Sequence, residues 1–304
     1  MNTAAATPAG AAPGRPLASG LMLAAFGAFA FSAKAIIVKL AYRYGVDAVT
    51  LIMYRMLFAL PLFLTLSWWA GRGKPPLQRR DVVTVIGLGF CGYYLSSFLD
   101  FIGLQYVSAG LERLVLYLNP TLVLLIGVML FGKRARGRQL IALAVSYAGA
   151  LLVFGHEVTL AGSHVWLGTA LVFASAVCYA LYLAFSGEEV KRLGALRLTG
   201  LATSVACVLC IAQFFLLRPV SAMMVAPEVI WLSVLNAVLC TFVPVLAMMM
   251  AVERIGATVA AQTGMIGPVS TIAMGALILG EPFTVWTAAG TVLVLAGIWL
   301  LARN

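Results

Sequence analysis

Along the chain, apolar residues gather into ten long runs, near 17–40, 48–69, 82–104, 107–131, 139–155, 165–186, 196–217, 228–250, 256–279 and 283–302. The runs are continuous rather than alternating, so they predict membrane-crossing helices and not the short alternating strands of an outer-membrane barrel. The run at 139–155 is at the short limit for a span. The polar breaks between runs are mostly brief, leaving no room for a soluble catalytic domain. Residues 1–16, rich in Ala, Pro and Gly with one Arg, read as a disordered tail. The first apolar run is too long for the h-region of a cleavable signal peptide. The predicted fold is an all-α integral membrane protein with ten transmembrane helices.

The second half repeats the first at a shift of 148 positions. Asn119-Pro120, Gly127 and Gly132 fall without a gap on Gly267-Pro268, Gly275 and Gly280, and Ala148-Gly149 falls on Ala296-Gly297. Each match is weak alone; the shared register carries the weight. A repeat in a very apolar chain points to a transporter whose site lies between two related halves. The expected organisation is a cytoplasmic tail over 1–16, a first five-helix repeat over 17–155, an outer linker over 156–163 and a second repeat over 164–304. Five helices per half is an odd number, so the halves must insert upside down to each other: the fold class is two inverted five-helix repeats.

Composition agrees. Of the 304 residues, 63% are hydrophobic and only 10% charged, and the mean hydropathy is +1.04. A soluble domain averages about 25% charged residues. A net charge of +10 would suggest nucleic acid in a soluble protein, but its distribution gives a different answer. With a cytoplasmic N-terminus, fourteen of the 20 Lys and Arg fall on cytoplasmic segments, in clusters such as Arg72–Arg80, Lys133–Arg138 and Lys191–Arg197. Only Arg43 and Arg218 fall on outer loops. This positive-inside pattern puts both termini in the cytoplasm of a bacterial-type inner membrane. The loop at Lys133-Arg134 is then cytoplasmic and its partner, Glu281-Pro282, external. The basic charge reports topology, and no nucleic-acid partner is expected.

Charges inside the spans matter most, because each costs about 2.5–3.5 kcal/mol at a helix centre. Lys39 is near the outer end of helix 1 and can snorkel. Lys34, Arg55, Asp100, Glu112 and Arg113 lie deeper, all in the first repeat and all in or near the outer half of the bilayer. They satisfy one another only by facing a common interior, and three bases against two acids leave one positive charge over. That surplus suits a carboxylate on a solute. The alternative is a pairing network that only locks helices 1 to 4 together. Polar stripes extend the pattern. Glu112 and Asn119 share a face of helix 4, as do Arg113 and Tyr117, and Tyr93, Ser97 and Asp100 form a stripe on helix 3. The second half offers Tyr179 and Tyr182 on helix 6, Asn236 on helix 8 and Gln262 on helix 9. Pro120 and Pro268 each interrupt a long apolar helix; packing kinks are common in membranes, but equivalent breaks in both halves favour a central cavity.

Other motifs carry less. Gly87-x-Gly89-x-x-Gly92 matches the dinucleotide string but lies mid-span, where glycines let helices approach. Cys207 and Cys210 form a CxxC without a second pair, and all five cysteines fall within spans as small packing residues. His156 and His164 read as solvated loop residues. No catalytic constellation, metal-ligand cluster or cofactor motif appears.

With these residues in view, the chain resembles the EamA-type branch of the drug/metabolite transporter superfamily. The resemblance is carried by Lys39 in AIIVKLA, Arg55 in MYRMLFALP, the segment from Gln105 to Arg134 with Leu111-Glu112-Arg113, and the segment from Ile255 to Thr284 with its Gly-Glu-Pro ending. It implies helices 1–4 and 6–9 around a central cavity, with 5 and 10 peripheral, and a function of exporting amino acids or other small metabolites. The acidic residue of the Gly-Glu motif is present at Glu281 and replaced by Lys133 in the first half.

The resulting expectation is a carrier that moves a small amphipathic metabolite outward by alternating access. The solute would sit between the halves near Pro120 and Pro268, with Arg55, Glu112 and Arg113 orienting it or carrying the coupling charge. Membrane lipid and the solute are the expected partners, no cofactor or metal is implied, and homodimer formation stays open. A non-transporting scaffold or receptor, or a membrane-embedded enzyme, would leave the deep charges and paired breaks without a use.

Overall fold

The computed structural model describes residues 15–132, 137–161, 164–264 and 266–302. Among them the chain is helical throughout, without strands. Eight helices are long and apolar enough to cross a membrane, and two shorter apolar helices follow at Ile266–Leu279 and Val285–Leu300. We label the segments α1 (Arg15–Tyr42), α2 (Ala48–Gly71), α3 (Arg79–Gly103), α4 (Ala109–Phe131), α5 (Gly137–Ala161), α6 (His164–Leu193) and α7 (Ala195–Leu217). Segment α8 covers Pro227–Gly264, α9 covers Ile266–Leu279 and α10 covers Val285–Ala302.

Several boundaries differ from the hydropathy reading. Helix α5 continues to Ala161, so residues 156–161, expected as linker, are helical. His156, Glu157 and Thr159 end the apolar run without ending the helix, since none of them blocks backbone hydrogen bonding. The expected turn at 251–255 is likewise helical, within an unbroken α-helical run Val243–Gly264. Glu253 and Arg254 interrupt hydropathy, yet both are good helix formers. The basic loop at Lys133-Arg134 lies outside the described residues.

Several interruptions lie inside the helices, and a π-helical stretch, Gly275–Leu279, closes α9. In α3 the stretch Phe90–Leu95 is π-helical, and in α8 so is Val238–Phe242. Their first residues are 148 apart, the spacing of the sequence repeat. In α4 the helix breaks at a turn over Tyr117 and Leu118 and resumes at Asn119 with Pro120 in its first turn. Proline has no N–H to bond the preceding turn, so the break falls where the sequence places it. The repeat also closes its fourth and ninth segments alike: Gly132 and Gly280 are both left-handed caps (φ 62° and 73°).

Packing obeys the same shift. Segment α1 lies against the Val243–Gly264 run, α3 against α6, α2 against α7 and α5 against α10. Gly168 abuts Tyr106 and Val107, while Gly20 abuts Arg254 and Ile255, which is the same contact set with the halves exchanged. Between α5 and α10, a Cβ on Gly149 would lie 2.6 Å from the Gly290 carbonyl oxygen, and one on Gly297 would lie 2.6 Å from that of Ala142. The contact index rises along one helix as it falls along the other, so α5 and α10 run antiparallel. Side chains larger than hydrogen would force these backbones apart.

Candidate functional site

The deep charges of the first repeat converge. Lys34 on α1 is 5% exposed, and its Nζ lies 2.5 Å from Asp100 Oδ2 on α3 and 2.9 Å from Glu112 Oε1 on α4. One ammonium therefore serves two carboxylates. Asp100 Oδ1 and Glu112 Oε2 are buried without a protein hydrogen-bond partner, and Glu112 is fully buried. Glu112 Oε1 is within ion-pair distance of Lys34 but off hydrogen-bonding direction, so it too is under-satisfied. Unpaired buried acceptors of this kind are costly and call for a physical reason.

Both arginines lack an ion-pair partner among the described residues. Arg113 donates to the Ser32 hydroxyl (3.0 Å), stacks over Phe31 (4.8 Å) and Tyr117 (5.3 Å), and leaves Nε buried without a partner. Arg55 donates through Nε to Thr241 Oγ1 (3.1 Å) in the π-helical part of α8 and lies over the Phe101 ring at 5.1 Å. Aromatic faces hold a guanidinium without neutralising it, so the positive surplus counted from the sequence persists in three dimensions.

The cluster is bound to the second half at its own interruption. Tyr117, at the break in α4, donates at 2.5 Å to the Gly264 carbonyl, which Pro268, four residues on and without an N–H, leaves free. The Ser32 hydroxyl lies 3.0 Å from the Gly267 carbonyl, and Thr271 donates to the Ser32 carbonyl at 3.2 Å. Gly267 precedes Pro268, and a Cβ there would collide with the Tyr117 hydroxyl and sit 3.1 Å from Arg113 Nη2. The glycine is a space requirement of the site. The break in α4 thus meets the turn of the second half that leads into Pro268, with the first-half charges beside it.

Of the residues expected from sequence, Lys34, Asp100 and Glu112 form the ion-pair triad, with Arg113 and Tyr117 adjoining and Arg55 anchored to α8. Asn236 adjoins Arg55 indirectly: its carbonyl accepts from Thr241 (2.9 Å) and its buried Oδ1 has no partner. Asn119 Oδ1 is likewise buried and unpartnered at the start of the lower part of α4. Tyr93 and Tyr179 go elsewhere. With Tyr182 they form an aromatic group between α3 and α6, with centroids 5.0–6.2 Å apart, packed on Val85, Leu88, Leu193 and Leu198. Ser97 is half-buried, and its neighbour Ser96, not anticipated, pairs with Ser175 at 2.9 Å. The side chain of Gln262 lies outside the described residues. Sequence reasoning missed Ser32, Thr241, Gly267 and Thr271. Hydroxyls and glycines carry no hydropathy penalty, and the one available signal was that Gly267 and Thr271 flank Pro268 on one helical face.

A model of the EamA-like transporter family matches residues 18–155 and again 166–303. The chain belongs to the EamA-like transporter family. It is therefore a multi-pass membrane transporter of the drug/metabolite transporter superfamily. Among its relatives is an uncharacterized transporter of Bacillus subtilis (strain 168), YcbK, 32% identical over 282 residues that cover 88% of this chain and 87% of the relative. An uncharacterized transporter of Archaeoglobus fulgidus is 26% identical over 230 residues, covering 75% and 80%. A protein of known crystal structure superposes with a TM-score of 0.63 at 19% identity, covering 95% of this chain and 99% of that one. That likeness speaks for the fold alone.

Proposed function

We propose that this EamA-like protein is a secondary carrier that exports an amino acid or a similar small amphipathic metabolite across the bacterial inner membrane by alternating access. Its repeats, 17–155 and 164–304, make up ten transmembrane helices inserted in opposite orientation, with both termini cytoplasmic. The observation that carries the reading is the contact of the α4 break with the carbonyl that Pro268 leaves free, Tyr117 with Gly264, beside buried charges that the protein leaves unsatisfied. A zwitterion supplies what those groups lack. Its ammonium suits the free oxygens of Asp100 and Glu112, and its carboxylate suits the uncompensated guanidinium groups of Arg113 and Arg55. In the solute-free protein Lys34 holds the two carboxylates, and Glu112 or Asp100 carries the coupling proton. Rocking one half against the other would open the cluster to each side in turn.

Flux into proteoliposomes, measured over a panel of amino acids, tests the reading. Saturable flux of at least one is expected, and Glu112→Gln or Arg113→Gln abolishes it while leaving membrane insertion intact. Variants with normal flux would reduce the cluster to structural packing.

A further inference from the structure

A second polar constellation lies at the end of the bundle where the α1–α2 turn meets the α9–α10 turn. A cavity of about 370 Å³ is lined there by Lys39, Tyr42, Arg43, Gln105, Leu279 and Glu281, among others. Its volume is that of small-molecule pockets, and its lining is amphipathic. Lys39 and Arg43 line the cavity with Glu281, and the Glu157 carboxylate, bound to the Ser108 amide and hydroxyl, lies beside them, so charges of both signs meet here. Glu281 stands where a solute carboxylate would stand. Its Oε1 is 3.1 Å from Lys39 Nζ, and both its oxygens accept from the Ala109 amide at 2.9 and 3.2 Å. Arg43 donates to the Leu279 carbonyl at 2.8 Å and has no carboxylate partner among the described residues.

The cavity also touches the elements of the buried cluster. The Tyr42 hydroxyl donates to the carbonyl of Phe101 at 2.6 Å, one residue beyond Asp100. Ala109, held by Glu281, lies three residues before Glu112 on α4. Whatever displaces Glu281 acts on the helix that carries Glu112 and Arg113.

We propose that this cavity is a second solute site, where the carboxylate of an amino-acid-like solute binds Lys39 and Arg43 in place of Glu281. The inference takes its class of solute from the proposed function and its location from the cavity itself. Release of Glu281 frees the Ala109 amide at the start of α4, while the site draws its own contacts from Lys39 and Arg43 and not from the buried cluster. The solute passes through the cavity on its way between the cluster and the aqueous phase.

Gln105, exposed on the cavity wall, offers a probe that does not depend on transport. A Gln105→Cys variant in lipid nanodiscs is labelled with a charged methanethiosulfonate reagent, with the native protein as background, in the presence of each standard amino acid or its carboxamide. At least one amino acid should slow labelling about tenfold, and its amide should not. Lys39→Gln should raise the concentration needed about tenfold or more, as expected for one lost charge-assisted contact. Glu112→Gln should leave protection in place. The site is overturned if no amino acid protects, if acid and amide protect equally, if protection survives Lys39→Gln, or if Glu112→Gln abolishes it. Proteoliposome flux separates the two ideas. Flux without protection removes this site and keeps the amino-acid carrier, while protection without flux does the reverse.

Discussion

At the scale of single residues, Lys34 decides whether the cluster is tolerable. Removing one partner of a buried ion pair leaves an uncompensated charge and costs about 3–5 kcal/mol; here the loss would strand two carboxylates at once. Lys34→Met should therefore lower the thermal unfolding midpoint sharply in detergent. The double variant Lys34→Met/Asp100→Asn, which removes one of the stranded charges, should recover part of the loss. If the single variant unfolds like the native protein, the triad does not hold α1, α3 and α4 together. Asp47 plays a simpler part in the α1–α2 connection. It caps α2 through Val49 and Thr50 and pairs with Arg218 at 3.1 Å. Partial burial pushes its carboxyl up, but the Thr50 hydroxyl and amide, the Arg218 charge and the Val49 amide outweigh this and hold it below the ordinary aspartate range. A carboxyl depressed in the folded state stabilises above its unfolded pKa, and that share is lost as pH falls through the folded value. Asp47→Ala should cost about 1 kcal/mol at neutral pH. The gap from the native protein should close below about pH 4. A gap that persists unchanged in acid would mean the carboxylate charge is irrelevant there.

At the scale of elements, the interruptions set the geometry. Pro120 sits in the first turn after the break in α4, and the turn before it places the Tyr117 hydroxyl on Gly264. Pro120→Ala restores a backbone donor to the Leu116 carbonyl and favours a straight helix. We expect an unchanged or higher unfolding temperature together with a loss of flux, because a continuous α4 carries Tyr117 away from the second half. Flux equal to the native rate would show that the break serves packing only. These interruptions also mark how far the elements were legible in the sequence. The break before Pro120, and the convergence of Lys34, Asp100, Glu112 and Arg113, were readable because proline geometry is local and a buried charge must find a partner. The π-helical stretches at Phe90 and Val238 were not, since neither contains proline and the extra residue per turn is fixed by contacts between distant helices. Helicity across Glu253 and Arg254 escaped for the converse reason: hydropathy records who faces lipid, not where hydrogen bonding stops. The tyrosine group took a place on Val85 and Leu88 that no single-helix stripe specifies.

At the scale of the whole molecule, the two halves share a scaffold but not a chemistry. Lys34, Arg55, Asp100, Glu112 and Arg113 correspond under the shift of 148 to Tyr182, Thr203, Met248, Ala260 and Ala261. In the proposed carrier the related halves serve the rocking motion, and one set of charges serves the solute. The scaffold relation has a direct consequence. Helices α5 and α10 are equivalents under the shift, and their glycine contacts, Gly149 with Gly290 and Gly297 with Ala142, exchange on moving each residue by 148. Equivalent helices that pack antiparallel are related by a two-fold axis across them, and an axis lying in the membrane plane turns one half upside down. The positive-inside bias asks for the same arrangement, with Lys133-Arg134 in the cytoplasm and Glu281-Pro282 outside. Cysteines introduced at positions 133 and 281 in intact cells should then react oppositely with an impermeant thiol reagent, position 281 from outside and position 133 only after permeabilisation. Equal reactivity from one side would break the two-fold relation, and with it the basis for placing a solute path between the halves.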